Sequence, residues 1–121
     1  MKVVIDTNIL LDYLHGLPPS QAELARYSRP GISLITWMEV MIGAKDKNEE
    51  AILRSFLSGF ETLPITDAVA ERAVVLRKSH RIRLPDALIW GTAQTSNRLL
   101  VTRNTRDFPA GDPGIRIPYQ I

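Results

Sequence analysis

Three continuous apolar runs, rich in β-branched residues, constrain the fold of this chain more than any other feature. They lie at residues 3–5, 32–35 and 99–102, and the segments between them carry apolar residues at helical spacing. A strand that is apolar throughout is buried on both faces, which is typical of a parallel sheet covered by helices on both sides. The pattern therefore predicts an α/β fold with a mostly parallel sheet.

Capping and breaking residues locate the other elements. Ser20 with Glu23 predicts a capping box for a helix that runs to about residue 26. Thr36 and Thr66 are predicted to begin two later helices, and Pro85 suits the first position of another. Helices are predicted at residues 9–14, 20–26, 36–43, 51–60, 67–80 and 85–97, with short strands at 63–65 and 115–117. The proline within the 63–65 strand predicts an edge position, because proline cannot donate to a central ladder.

Composition excludes several classes of protein. The 121 residues suit a single domain over residues 1–121, and the lack of cysteine excludes disulfides and thiolate metal sites. The apolar run before Asp6 is too short for a signal peptide, and no run approaches the roughly 18 apolar residues of a membrane span. We therefore expect a cytoplasmic protein. The net charge of +2 gives only weak support for a nucleic-acid partner.

Acidic residues follow the predicted strands. Asp6 comes directly after the first strand and Glu39 a few residues after the second. Asp107 follows the 99–102 strand by one short loop, and Asp86 lies in the first turn of the helix that leads into that strand. Ligands of parallel sheets bind beyond the carboxyl ends of the strands, so we expect these acids to converge there.

Each acid taken singly also has a structural interpretation. Asp6 suits a helix N-cap, Glu39 suits a capping box with Thr36, and Asp86 suits the positive end of a helix dipole. Convergence of all these acids at one place has no such structural explanation, because two like charges 4 Å apart repel by about 4 kcal/mol at an effective dielectric of about 20. A divalent cation would offset that cost, and carboxylate oxygens suit Mg²⁺ or Mn²⁺.

Four segments of the chain, in order, resemble the motifs of a PIN domain, and in particular those of VapC toxins from bacterial toxin–antitoxin pairs. They are residues 1–14 (MKVVIDTNILLDYL), 35–40 (ITWMEV), 84–89 (LPDALI) and 100–108 (LVTRNTRDF). The resemblance covers essentially the whole chain. It implies a three-layer α/β/α sandwich, cleavage of RNA with Mg²⁺ or Mn²⁺, a homodimer, and a cognate VapB-like antitoxin that blocks the site.

The resemblance also implies residue roles. Asp6 and Asp86 would be the main metal ligands, and Glu39 would help to hold the metal or orient water. Family members vary between an acid at the position of Asn104 and one at the position of Asp107. Here the first is an amide, so Asp107 is assigned as the fourth acid and Asn104 as its polar neighbour. The side chains expected to hydrogen-bond the carboxylates are Thr7, Asn8 and Thr102, and those expected to contact phosphate are Arg103 and Arg106.

Three alternatives remain open at this stage. A phosphatase would use Asp6 as a covalent nucleophile, although Asn8 stands where such enzymes usually place a second acid. A signalling receiver domain also collects acids at strand ends, but no Asp closely follows residues 32–35. A catalytically silent PIN-like binding module is the third. Four leucines are predicted either to line a groove for an antitoxin helix or to join the core, namely Leu10, Leu11, Leu14 and Leu24.

Overall fold

The computed structural model describes residues 2–121. Its strands are β1 (Val3–Ile5), β2 (Gly31–Ser33), β3 (Glu61–Leu63), β4 (Leu99–Val101) and β5 (Ile115–Arg116). They form one five-stranded sheet in the order β3-β2-β1-β4-β5, and every neighbouring pair is parallel. The predicted α/β class with a mostly parallel sheet is therefore confirmed. The strand predicted at 63–65 lies at a sheet edge as expected, but its bounds were wrong, because β3 ends at Leu63 before Pro64.

Helices cover both faces of this sheet. They are α1 (Thr7–Leu14), α2 (Pro18–Leu24), α3 (Leu34–Ile42), α4 (Lys47–Leu57), α5 (Asp67–His80) and α6 (Leu84–Thr95). Val4 of β1 packs into a core cluster formed mainly by α5 and α6, whereas Val3 and Ile5 pack into a second cluster with α1, α3 and α4. Successive strand residues face opposite sides of a sheet, so these two clusters are the two interfaces of a three-layer α/β/α sandwich.

Two predicted helix caps differ from the structure, and helix α4 begins at Lys47, four residues before its predicted start. Thr66 caps α5 as expected, since its hydroxyl accepts from the Val69 N–H at 3.2 Å. The cap of α3 is Ser33 and not Thr36, because the Ser33 hydroxyl accepts from the Ile35 N–H at 3.2 Å and ends β2 early. The Ser20–Glu23 capping box is wrong. Helix α2 begins at Pro18 and its cap position has no side-chain bond, which a proline in the first turn makes unnecessary.

Helix α6 packs closely on α5, and this contact fixes the start of α6 at the carboxyl edge of the sheet. A Cβ added at Gly91 would lie 3.2 Å from the Val69 carbonyl oxygen and 3.3 Å from the Ala73 nitrogen. A glycine is thus needed for the close approach of the two helices. Trp90 is the largest fully buried side chain and anchors the α6 side of the core.

Two buried carboxylates tie the α1–α2 hairpin to the C-terminal part of the chain. Asp12 of α1 accepts two bonds from Arg103, at 2.5 and 3.1 Å, and one from the Tyr119 hydroxyl at 2.6 Å. Burial alone would raise the pKa of Asp12, but these bonds lower it below its ordinary value. Glu23 of α2 accepts two bonds from Arg116, at 2.8 and 2.9 Å. Among residues 2–121 no helix has the length and apolar character needed to cross a membrane.

Candidate active site

A cavity of about 230 Å³ opens beside the start of α1, the second turn of α3, the first turn of α6 and the loop after β4. We call it the acid cavity, and its lining consists of Asp6, Thr7, Asn8, Leu11, Glu39, Arg83, Asp86 and Asn104. Three predicted acids therefore meet at one place, although up to 80 residues separate Asp6 from Asp86 along the chain. The position matches the crevice where parallel sheets bind ligands.

Asp6 is held firmly at the floor of the acid cavity. It caps α1 by accepting from the Thr7 N–H at 2.7 Å, and its other oxygen accepts from the Thr102 hydroxyl at 2.7 Å. The residue is only 4% exposed. Burial raises its pKa to about 6 against the opposing effect of the Thr102 bond, and the nearby charges of Asp86 and Glu39 raise it further. The cavity is therefore an unfavourable place for bare negative charge.

Glu39 is fixed by a hydroxyl on α1 and not by the backbone of its own helix. Its Oε1 accepts from the Thr7 hydroxyl at 2.7 Å, and that hydroxyl lies 2.9 Å from the Thr36 hydroxyl. A carboxylate can only accept, so Thr7 donates to Glu39 and accepts from Thr36. The structural interpretation of Glu39 as half of a capping box with Thr36 is wrong, because Thr36 is buried inside α3 and binds Thr7 instead.

Asp86 has an unsatisfied oxygen. The residue is 6% exposed, and its Oδ2 is buried without a hydrogen-bond partner among the described residues. Arg83 Nε lies 3.5 Å from that oxygen, which is an ion-pair distance without the geometry of a hydrogen bond. Burial raises the pKa of Asp86, Arg83 opposes the rise, and the charges of Asp107 and Glu39 add to it. A buried, poorly paired carboxylate is the type of group that a cation stabilises.

Asn104, and not Asp107, lines the acid cavity. The Asn104 amide donates to Asp107 Oδ2 at 2.9 Å, and its own oxygen accepts from the backbone N–H groups of Arg106 and Asp107, each at 3.1 Å. Asp107 thus lies behind the amide and orients it, while its charge still reaches Asp86. The catalytic role assigned to Asp107 stays a prediction.

The Thr102 hydroxyl links several parts of the site. It donates to Asp6 and accepts from the Asn104 N–H at 3.0 Å, and the Asn8 amide lies 3.5 Å away. The side-chain oxygen of Asn8 is buried and has no partner among the described residues. Thr7 and Thr102 therefore bond carboxylates of the acid cavity directly, whereas Asn8, which also lines it, reaches the Thr102 hydroxyl and no carboxylate.

The arginines differ from the sequence-based expectation. Arg103 is engaged by Asp12, as described above, and Arg106 is exposed in the loop. Phosphate contact by either stays a prediction. Arg83 was not singled out as a site residue, yet it lines the acid cavity with a side chain that is 77% exposed. Its place three residues before Asp86, at the N-cap of α6, is the sequence feature that could have identified it.

Comparisons with known proteins agree with this geometry. The family model described as PIN domain matches residues 3–112. Ribonuclease VapC10 of Mycobacterium tuberculosis is 30% identical over 115 residues, which cover 88% of this chain and 86% of the relative. The tRNA(fMet)-specific endonuclease VapC of Salmonella typhimurium is 31% identical over an alignment that covers 97% of this chain and 96% of the relative.

Solved structures give the same result. A toxin–antitoxin complex from Klebsiella pneumoniae contains a chain with 45% identity and a TM-score of 0.92, covering 99% of this chain and all of that one. A DNA-bound VapBC structure from Salmonella typhimurium shows 27% identity and a TM-score of 0.79, with 96% of each chain covered. The match spans the segments that supply every residue lining the acid cavity. The chain therefore belongs to the PIN-domain family, among its VapC members.

Proposed function

We propose that the protein is a VapC-like toxin, an endoribonuclease that hydrolyses RNA phosphodiester bonds with Mg²⁺ or Mn²⁺. One observation supports this most strongly: Asp6, Glu39 and Asp86 line one small cavity in which the pKa values of both aspartates are raised. Raised carboxyl pKa values in a cleft are characteristic of functional sites. The relatives named ribonuclease and endonuclease belong to the same family and support the reaction class.

The donor set of the cavity fits a hard cation. Its polar lining is dominated by oxygen, and two buried oxygens, Asp86 Oδ2 and Asn8 Oδ1, have no partner among the described residues. Within residues 2–121 no group of three or more acidic or histidine side chains is arranged to hold a metal ion. Mg²⁺ does not need such a cage, because it usually keeps several waters and binds through one or two carboxylates. Asp6 and Asp86 are the proposed ligands.

Such an ion would supply a water of lowered pKa and would neutralise charge on the phosphoryl group. The protein's own residues do the rest. The Thr7 hydroxyl fixes Glu39 through Oε1 and leaves its second oxygen for the cavity. The Thr7 N–H and the Thr102 hydroxyl fix Asp6 through one oxygen each, and each oxygen keeps a second lone pair for a cation. Through its second oxygen Glu39 accepts a hydrogen bond from the attacking water and so orients it. Arg83 lies at the mouth of the cavity and binds the phosphate of the RNA.

A cleavage assay tests the proposal. Purified protein should cut RNA with Mg²⁺ or Mn²⁺ and should stop when EDTA is added. Asp6→Asn and Asp86→Asn should each reduce the rate by more than roughly 100-fold, beyond the loss seen when a ligand's hydrogen-bonding partner is removed. Asp67→Asn is the matched control, because Asp67 is an exposed carboxylate in the first turn of α5. Cutting that survives both site substitutions would contradict the proposal.

Family membership removes two of the alternatives considered for the sequence. A receiver domain and an aspartyl phosphatase belong to other families. The silent binding module remains as the alternative. It predicts RNA or protein binding without cleavage under any metal condition, which the same assay detects.

We propose that a cognate antitoxin covers a second, apolar cavity of about 280 Å³ beside the acid cavity. Its lining includes Leu11, Leu14, Val40, Ile52 and Leu53. Leu11 lines both cavities, so a helix seated in the apolar one would lie next to the catalytic acids. The expected role of Leu10 in such a groove is wrong, because Leu10 is fully buried in the core, and Leu24 packs against the same core.

The antitoxin proposal predicts loss of binding from an exposed position. Ile52 is 57% exposed, so Ile52→Asp should release a co-expressed antitoxin encoded by the neighbouring reading frame while cleavage persists. Ile121→Asp is the control, since Ile121 is 79% exposed and lies outside the cavity lining. Co-purification of the two chains is the measurement, and equal recovery with Ile52→Asp would refute the location.

We also propose a homodimer. Val74, Val75 and Leu84 are about half exposed on the α5–α6 pair, an uncommon arrangement for apolar side chains without a partner. Light scattering should give twice the chain mass of 13.6 kDa, and Val75→Glu should lower it. A mass of one chain at micromolar concentration would contradict this part of the proposal.

A further inference from the structure

A second polar cavity lies at the opposite edge of the sheet. It has a volume of about 290 Å³ and is lined by residues at or just before the amino ends of β1, β3 and β4, together with the loop that precedes β2. We call it the basic pocket; its charged lining consists of Lys2, Arg26, Arg29, Glu61 and Arg98. It shares no residue with the acid cavity, and all five strands run away from it.

Positive charge dominates the basic pocket. Four cationic side chains surround one carboxylate, that of Glu61. Arg98 lowers the pKa of Glu61 most, and the charges of Lys2 and Arg29 act in the same direction. Arg26 has a partial partner outside the pocket, since its Nε lies 3.8 Å from a Glu23 oxygen. Glu61 alone does not neutralise Lys2, Arg29 and Arg98. The pocket therefore suits a further anion, and one that carries more than a single negative charge.

Arg98 gives the pocket a fixed, incompletely bonded guanidinium. Its side chain is only 8% exposed. One nitrogen donates to Glu61 Oε1 at 2.9 Å, another reaches the Val3 carbonyl at the long distance of 3.5 Å, and Nε has no partner among the described residues. A guanidinium has five N–H donors, so most of them are unused here.

The backbone leaves room for this guanidinium. A Cβ added at Gly31 would lie 2.6 Å from an Arg98 terminal nitrogen and 3.0 Å from the Val3 carbonyl oxygen. Glycine at this position of β2 therefore allows the guanidinium to lie flat against the sheet. The arrangement is a built feature of the fold, and not the chance orientation of a long surface side chain.

We propose that the basic pocket binds a phosphate group, with Arg98 as the buried anchor and Lys2 and Arg29 as exposed partners. Guanidinium groups bind phosphate oxygens through paired hydrogen bonds, and the lysine adds a point charge. The Glu61 carboxylate already accepts a hydrogen bond from Arg98, so a phosphate must compete with Glu61 for the guanidinium. Two variants should therefore have opposite effects: removal of Arg98 weakens phosphate binding, and removal of the Glu61 charge strengthens it.

Titration with inorganic phosphate, followed by backbone amide NMR shifts, tests the pocket itself. Wild-type protein should show saturable shifts at residues 2, 29 and 98. Glu61→Gln should lower the apparent Kd several-fold, and Arg98→Gln should raise it by about tenfold. Because Arg98 is buried, Arg29→Gln provides a second test at an exposed position and should also raise the Kd. The matched control is the exposed Arg54–Glu50 pair on α4, where Glu50→Gln and Arg54→Gln should leave the Kd unchanged.

The phosphate group can come from a free small molecule or from an RNA backbone, and a second arm distinguishes them. Binding of a random 20-nucleotide RNA is measured in EDTA by fluorescence anisotropy at several salt concentrations. If RNA is the source, Arg98→Gln and Arg29→Gln should each weaken binding and reduce the salt slope by about one. If a free phosphate is the source, the RNA affinity is unchanged and only the NMR titration responds.

Absence of any effect of Arg29→Gln, Arg98→Gln and Glu61→Gln in both arms would overturn the proposal. The outcome is separate from that of the nuclease proposal. Both arms measure binding without divalent metal, and none of these residues lines the acid cavity.

Discussion

Asp6→Asn should stabilise the metal-free protein at neutral pH even though it abolishes the proposed catalysis. Burial raises the pKa of Asp6 from its ordinary 3.8 to about 6. The folded state therefore binds a proton more tightly than the unfolded state, and its stability falls as the pH rises from about 4 through 6. At about 1.4 kcal/mol per pH unit the full cost is about 3 kcal/mol above pH 7. Asparagine is uncharged and avoids that cost.

Hydrogen bonding sets a limit on this gain. Asparagine is a good helix N-cap and can still accept from the Thr7 N–H, but the Thr102 hydroxyl must turn to accept from the new amide. We therefore expect about 1–3 kcal/mol of stabilisation at pH 7.5 and close to none at pH 4. Urea unfolding in EDTA across this range measures it, with Asp67→Asn as control. A gain that is equal at both pH values, or a loss at pH 7.5, would refute the electrostatic reasoning.

Three further predictions concern other parts of the molecule. Arg83→Gln should tighten Mn²⁺ binding several-fold in an EPR titration while slowing RNA cleavage, because Arg83 now pairs with Asp86 and competes with the metal. Tyr119→Phe should cost about 2 kcal/mol in urea unfolding, since it removes a bond to the buried charge of Asp12. Trp90→Ala should cost about 3–5 kcal/mol by the same measurement, because it opens a cavity in the core.

The sequence predicted those strands and helix caps that depend only on residues close together along the chain. The apolar runs located β1, β2 and β4, and Thr66 was recognised as the cap of α5. The end of β2 was placed two residues late, because Leu34 and Ile35 are apolar and continue the run without interruption. Ser33 ends the strand because its hydroxyl caps α3. Serine is common in many kinds of structure, so its capping role could not be recognised from the sequence alone.

Partners that lie far apart along the chain were beyond prediction. Glu23 looked like half of a capping box, yet it binds Arg116, 93 residues later. Arg103 looked like a phosphate ligand because it neighbours Asn104, but its side chain turns back to Asp12 on α1. The convergence of the acids, in contrast, could be predicted, because parallel strands present their carboxyl ends at one edge of the sheet.

The place of β1 in the sheet has a consequence for biosynthesis. Strand β1 is made before its neighbour β4, and the hydroxyl that holds Asp6 lies 96 residues downstream of that carboxylate. A nascent chain on the ribosome therefore lacks an assembled acid cavity until residues 99–104 have left the exit tunnel. Until then Asp6 has neither the strand β4 beside it nor the Thr102 hydroxyl that orients it.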